Sequence, residues 1–179
     1  MAFTPGPNNI MSMNNAKNVG LRKGIKFNFG IFAGCIIVMS LCLVFSSVLY
    51  NVVPKVQFPM KIAGAAYMVF LIIKTIIPPK EQTTANTNGS FFIGVVLQLI
   101  NPKGILYGIT AMSSFILPYY KEIPILLMFV MLLSLVGFSA TVCWALFGSL
   151  FSIVFNKHKK VLNIIMAVLL LYCAISLFM

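Results

Sequence analysis

A chain of 179 residues that is 60% hydrophobic and only 8% charged cannot be a soluble domain, because soluble chains carry roughly 25% charged residues to cover their surface. With two acids and one histidine, it also lacks the clustered carboxylates, imidazoles and activated nucleophiles that an enzyme site needs. The net charge of +11 comes without a nucleic-acid-binding motif, and we interpret it as membrane topology.

Five apolar runs approach or exceed the ~20 residues that cross a bilayer as a helix. They are residues 27–50, 58–77, 91–117, 123–150 and 161–179. Backbone polar groups in lipid have to be bonded within each segment, and these runs lack the alternation of barrel strands. The sequence therefore predicts an all-α integral membrane protein with at least five spans.

Lysine and arginine are concentrated in alternate linkers between these runs. When Lys61 and Lys74, near the ends of the 58–77 run, are counted with the adjoining linkers, the first, third and fifth linkers hold nine of them and the second and fourth hold three. By the positive-inside rule, the linkers at residues 17–26, 78–90 and 156–160 are predicted to be cytoplasmic. The four cysteines lie inside predicted spans without a CxxC pair, so the sequence indicates no disulfide, metal or other cofactor.

The polar stretch at residues 78–90 divides a single membrane domain into two similar halves. Each half begins with an interrupted segment that contains asparagine and closes with a helix that carries one tyrosine. Three spans per half would give the halves opposite orientations, as in the inverted repeats of many secondary transporters. We therefore predict a six-span 3+3 inverted-repeat bundle, with residues 1–77 as an N-terminally incomplete first repeat and residues 91–179 as the second. Its first span is truncated, which leaves five complete spans.

Close helix packing is predicted by Gly30-x-x-x-Gly34 and Gly104-x-x-x-Gly108, which place small residues on one face of a helix. The other reading is that glycine is common in membrane helices.

Asn101, Pro102 and Lys103 stand in the middle of the third apolar run. Proline removes a backbone donor and breaks the helix, and a lysine at that depth costs about 2.5–3.5 kcal/mol on insertion scales. We expect Pro102 to expose backbone groups and Lys103 to offer its charge to an anionic group. The alternative is a kink whose lysine snorkels or sits in a water pocket lined by protein.

A second interrupted segment, "TPGPNN", stands near the N-terminus. Pro5, Gly6 and Pro7 cannot sustain a helix, and irregular backbone at membrane depth survives only against protein or a water-filled cavity. Asn8 and Asn9 would then point their amides into such a cavity. A frayed N-terminal loop in water is the alternative.

The succession of "TPGPNN", "GLRKG", "GAAYMVFLIIK" and "NPKG" resembles the LysE/RhtB superfamily of bacterial amino-acid exporters over essentially the whole chain. "LPYYKEI", "VCWALFG" and "LNIIMAVLLLYCAI" are more similar still to its branch of cysteine and O-acetylserine exporters. The resemblance implies a six-span inner-membrane exporter of small amino acids that is energised by the proton gradient. Many members have an aspartate where this chain has Asn8, and a longer apolar stretch before TPGP; we expect Met1 to be an internal methionine of a full first span.

These observations predict an amino-acid efflux transporter of the bacterial cytoplasmic membrane, for a small neutral substrate such as cysteine or O-acetylserine. The two interrupted segments would meet at the midplane, where Lys103 binds the substrate carboxylate. Aromatic packing is the alternative role for the two tyrosines among the predicted substrate-binding residues. Those residues are Pro5, Gly6, Pro7, Asn8, Asn9, Tyr67, Asn101, Pro102, Lys103 and Tyr107.

The predicted partners are the amino-acid substrate and the lipid bilayer, with a homo-oligomer left open. Two other classes of function also remain open at this point. One is a non-transporting remnant or assembly partner, and the other is a passive channel.

Overall fold

The computed structural model describes residues 2–45, 90–150 and 159–176, together with residues 58–59, 62, 65–66, 68–70 and 72–73. All regular secondary structure in these parts is helical, which confirms the all-α prediction for them. The described residues from 58 to 73 are helical as well. The helices are α1 (Pro7–Val19), α2 (Leu21–Val44), α3 (Phe91–Ile100), α4 (Pro102–Thr110, continued by a π-helical segment at Ala111–Ile116), α5 (Ile123–Leu150) and α6 (Lys159–Ser176).

Helices α2 and α5, with 24 and 28 residues, are long and apolar enough to cross a membrane. Helices α3 and α4 with its π-helical segment count as a third candidate if the bent pair forms one span. Helix α5 coincides with the predicted run at residues 123–150, because that run is apolar from end to end. Helix α2 begins six residues before the predicted start at Phe27, while residues 46–50 and half of the predicted 58–77 run lie outside the described parts.

Residues 17–26, which the sequence predicts as a linker, are helical except at Gly20. Gly20 has φ 81° and ψ 156°, a backbone conformation that residues with a Cβ rarely adopt. The chain therefore passes from α1 to α2 through one residue, so the predicted linker is not a separate segment between two helices. The basic residues of this stretch lie on the adjoining ends of two helices.

Helices α2 and α3 cross with their backbones in direct contact. A Cβ added to Gly30 would lie 2.0 Å from the Phe91 carbonyl oxygen, and one added to Gly94 would lie 2.2 Å from that of Phe27. Because association of helices in lipid depends on close van der Waals packing, glycine is required at this crossing. The predicted packing role of Gly30-x-x-x-Gly34 is confirmed, since a Cβ on Gly34 would lie 2.8 Å from Gln98 Cβ.

The second predicted glycine pair also packs closely. A Cβ on Gly104 would lie 2.6 Å from Gln98 Nε2, and one on Gly108 would lie 3.2 Å from Cys42 Sγ of α2. A third crossing joins α1 to α5, where a Cβ on Gly148 would lie 2.2 Å from the Met13 carbonyl oxygen.

Helix α1 is polar in sequence, yet it lies inside the bundle. Eight of its 13 residues are buried, and it packs against α2 and α5. One of its polar side chains is paired with α2: Ser12 Oγ donates to Asn28 Oδ1 at 3.1 Å, and both side chains are fully buried. The N-terminal polar stretch is therefore part of the interior, which is where a binding site for a polar molecule has to be built.

Candidate functional site

Both predicted helix interruptions are present. Residues 2–6 are non-helical and α1 starts at Pro7, while α3 and α4 meet at Asn101 with a bend of 64°. Pro7 and Pro102 each stand at the start of a helix, where the missing N–H costs nothing and the fixed φ favours the first turn. Each interruption therefore ends in a helix N-terminus.

The two interruptions meet through Lys103. Its ammonium nitrogen donates hydrogen bonds to Thr4 Oγ1 at 2.7 Å, to the Pro5 carbonyl at 3.0 Å and to the Thr4 carbonyl at 3.2 Å. These contacts confirm the prediction that the two segments come together, although they are almost a hundred residues apart in sequence. Lys103 is half-buried.

The non-helical segment at residues 2–6 is folded against the protein, because the carbonyl of each of its residues accepts a hydrogen bond. This arrangement is what irregular backbone needs inside a membrane protein, and it contradicts the alternative of a frayed loop in water. The indole of Trp144 is a donor that the sequence did not predict. The bonds run from Asn9 Nδ2 to Ala2 O and Thr4 O (both 2.9 Å), from Trp144 Nε1 to Phe3 O (3.1 Å), from Lys103 to Thr4 O and Pro5 O, and from Ile10 N to Gly6 O (2.9 Å).

A second link between distant parts of the chain joins Asn8 of α1 to Gln98 of α3. Asn8 Nδ2 donates to Gln98 Oε1, and the two side chains are 8% and 3% exposed. Sequence reasoning missed Gln98, whose signal is a single amide in an apolar run, three residues before Asn101 and so on the same helix face. Among the described residues, Asn8 Oδ1 has no hydrogen-bond partner. It is a buried acceptor on a residue that lines the cavity described below.

Asn101 is the N-cap of α4. Its Oδ1 accepts a hydrogen bond from the backbone N–H of Lys103 at 3.1 Å, as asparagine commonly does at helix starts. The Gln98 carbonyl, which Pro102 leaves without its helical donor, accepts instead from the Asn101 N–H at 3.3 Å. Both groups thus stabilise the bend itself.

A cavity of 70 Å³ lies between α1, α2, α4 and α5, with room for several water molecules. Of the ten predicted site residues, seven line it, Pro5 and Pro102 do not, and Tyr67 lies outside the described residues. The predicted residues in the lining are Gly6, Pro7, Asn8, Asn9, Asn101, Lys103 and Tyr107; the others are Ala2, Ile31, Cys35, Gln98, Gly104, Gly137 and Thr141.

The electrostatics of this cavity favour an anion. The N-terminal turns of α1 and α4 both border it, and each carries roughly half a positive charge. The Lys103 ammonium adds a full charge between them. Within the described parts of the chain, the one acidic residue is Glu122, which is exposed just before α5.

The family model of the LysE type translocators matches residues 1–179. A cysteine/O-acetylserine efflux protein of Escherichia coli (strain K12) is 39% identical over 178 residues, which cover 99% of this chain and 91% of the relative. Proteins of the same description from Shigella flexneri serotype 5b (strain 8401) and Escherichia coli O1:K1 / APEC match with the same identity and coverage. No solved structure matches this chain at a significant level.

Proposed function

We propose that this chain, which belongs to the LysE type translocator family, exports a small neutral amino acid such as cysteine or O-acetylserine from the bacterial cytoplasm. Membership of this family makes it a transporter and not an enzyme. The proposed substrates are those that its relatives are named for, at 39% identity over nearly the whole chain.

The observation that carries the proposal is the position of Lys103 at a cavity between two helix N-termini. A carboxylate there would be attracted by the ammonium and by the partial positive charges of α1 and α4. Discontinuous helices of secondary transporters point such N-termini at anionic groups of their substrates. We therefore assign the substrate carboxylate to Lys103.

The remainder of the lining supports a small neutral substrate. Asn8 Oδ1 offers an acceptor to a substrate N–H. Ile31, Cys35 and Gly137 form an apolar part of the lining where an uncharged side chain would fit. A cationic side chain would be left without a carboxylate partner among the described helices, at a high cost in free energy.

The wider arrangement that we propose is the six-span 3+3 inverted repeat in the cytoplasmic membrane, with the cavity near the midplane. It is supported by the equivalence of the two interruptions, since each half places one proline-initiated helix N-terminus at the cavity. Residues 1–77 and 91–179 would be the repeats. The segments 17–26, 78–90 and 156–160 would face the cytoplasm, as their basic residues indicate.

We assign the energy input to the proton gradient, since export against a concentration gradient needs a source of free energy. The test is efflux of radiolabelled cysteine and O-acetylserine from proteoliposomes that contain the full chain, with an imposed proton gradient. We expect directional efflux that an uncoupler abolishes. Efflux that stops at equal concentrations and ignores the uncoupler would make the protein a passive channel. Inserted, folded protein that moves neither compound would instead favour a non-transporting membrane protein.

A further inference from the structure

We propose that the three oxygens that hold Lys103 are the binding site for the α-ammonium group of the substrate. We call them the oxygen cage: the Thr4 carbonyl, the Thr4 hydroxyl and the Pro5 carbonyl, which lie 3.2, 2.7 and 3.0 Å from Lys103 Nζ. Without substrate, the ammonium group of Lys103 occupies the cage. When substrate enters, Lys103 leaves the cage and binds the substrate carboxylate. This inference rests on the proposed function and specifies how its site works.

The oxygen cage already binds an ammonium group. An ammonium has three N–H donors and no acceptor, and the cage presents three acceptors to Lys103 at hydrogen-bond distance. The Thr4 carbonyl is held in place by Asn9 Nδ2 at 2.9 Å, so the acceptors are positioned by the fold and not by Lys103 alone. A substrate ammonium therefore needs no new geometry there.

An amino-acid substrate needs such a site. Its ammonium carries three donors and no acceptor. The described helices contain no carboxylate, because Glu122 precedes α5 and is exposed. Neutral oxygens must therefore satisfy these donors, and the cage adjoins the cavity through Gly6 and Lys103, which line it.

The replacement of Lys103 by the substrate ammonium in the cage requires a substrate that carries both an ammonium and a carboxylate. Lys103 cannot give its donors to a carboxylate while it gives them to the cage, and leaving the cage oxygens unpaired is unfavourable. An α-amino acid carries its ammonium nitrogen about 2.5 Å from its carboxyl carbon, so one ligand replaces Lys103 in the cage and engages it at the carboxylate. A bare amine or a bare acid satisfies only one side of the exchange, so the unaltered protein selects against both.

The test is whether removal of Lys103 opens the cage to simple amines. The full chain with Lys103→Met is compared with the unaltered protein and with Lys121→Met, a matched change at an exposed lysine. The probes are ethanolamine and 2-aminoethanethiol, and binding is measured by the shift of the thermal unfolding midpoint. We expect Lys103→Met to bind both amines roughly tenfold more tightly than the unaltered protein does, which is the effect of one hydrogen bond to a charged group. Lys121→Met should bind them no better than the unaltered protein. In Lys103→Met, adding Thr4→Val, which removes one of the three cage oxygens, should weaken this binding roughly tenfold, and adding Thr4→Ser should keep it. Folded Lys103→Met that binds amines no better than the unaltered protein overturns the proposal.

A second measurement covers the case in which Lys103→Met does not fold. Thr4→Val and Thr4→Ser are made with Lys103 retained, and cysteine and 3-mercaptopropionate compete for binding. Because Lys103 and the substrate ammonium bond the same hydroxyl in turn, its loss should change the affinity for cysteine little and should tighten 3-mercaptopropionate, which has no ammonium, roughly tenfold; equal changes in the two affinities overturn the proposal. If the unaltered protein exports cysteine and these results are negative, only the oxygen cage is rejected. If it exports no amino acid, the proposed function fails, whatever the amines do.

Discussion

Gly6 lies directly against the side chain of Lys103: a Cβ added to Gly6 would sit 3.0 Å from Nζ and 3.2 Å from Cδ. Gly6 has φ −168°, an extended conformation open to any residue, so the constraint comes from the lysine and not from the backbone. The absence of a side chain at Gly6 lets the ammonium reach the carbonyls of the first interruption.

Gly6→Ala should therefore displace Lys103 without unfolding the protein. The far end of a lysine can give way by a few tenths of an ångström, but its bonds to Thr4 and Pro5 lengthen. We expect the initial export rate to fall roughly tenfold, because small misplacements of a binding group are costly. The control is the unfolding midpoint in a Lys103→Ala background, where Gly6→Ala should have no further effect. A similar loss of stability in both backgrounds would place the effect elsewhere.

Lys103→Ala should abolish export while the protein remains in the membrane. Loss of the charge that binds the carboxylate typically costs 2–5 kcal/mol, or about 30-fold to several thousand-fold in affinity. The measurement is cysteine efflux normalised to the amount of protein in the membrane. Lys121→Ala, at an exposed position before α5, should export normally. Near-normal export by Lys103→Ala would rule out pairing of this lysine with the carboxylate.

Ser12→Ala should destabilise the bundle by about 1–3 kcal/mol, since it removes the donor to the buried Asn28 oxygen. The matched control is Ser139→Ala. Ser139 is exposed and its hydroxyl bonds only to the Leu135 carbonyl of its own helix, so its loss should change stability by less than about 0.5 kcal/mol. Denaturant unfolding of both variants in the same detergent measures the difference, and equal effects would contradict the importance of the α1–α2 pair.

Gly94→Ala should prevent correct packing of α3 on α2. The added methyl group would lie 2.2 Å from the Phe27 carbonyl oxygen, and backbone cannot move aside as a flexible side chain can. We expect little folded protein by size-exclusion chromatography. Gly137→Ala is the control for stability, because the nearest atom to its Cβ is Cys35 Sγ at an ordinary 3.7 Å. Gly94→Ala that folds as well as Gly137→Ala would mean that the helices do not cross here.

Gly137→Ala should also change substrate preference, since the new methyl group projects into the space between Gly137 and Cys35. O-Acetylserine has a longer side chain than cysteine, so its export should fall more. The measurement is the ratio of kcat/KM for the two compounds, which we expect to move several-fold toward cysteine, as for a change of about 1 kcal/mol in a packed pocket. An unchanged ratio would place the substrate side chain elsewhere in the cavity.

The sequence predicted those features that depend on local chemistry. A continuous apolar run defined α5, and proline predicted the break at Asn101, because each effect acts within a few residues. The one-residue connection at Gly20 was missed because a cluster of basic residues is typical of a linker, whereas in this structure the basic residues lie on the ends of two helices. Lys103 was predicted to be a binding residue from its own position in an apolar run, but its contact with Thr4 could not be predicted, since that contact depends on how the helices pack. Gln98 was missed for the same reason.

The glycine crossings also determine which parts of the bundle can move. Helix α2 touches α3 backbone to backbone at Gly30 and Gly94, and α1 touches α5 in the same way at Gly148. Such contacts have no side chains between the backbones that could repack. We therefore expect each pair of helices to move as one rigid body during the proposed transport. The cavity lies between the two pairs and is lined by both. Lys103 of α4 and Thr4, which precedes α1, add one link across it, beside the Ser12–Asn28 and Asn8–Gln98 bonds. Under the proposed exchange, that link opens at the moment when the substrate binds.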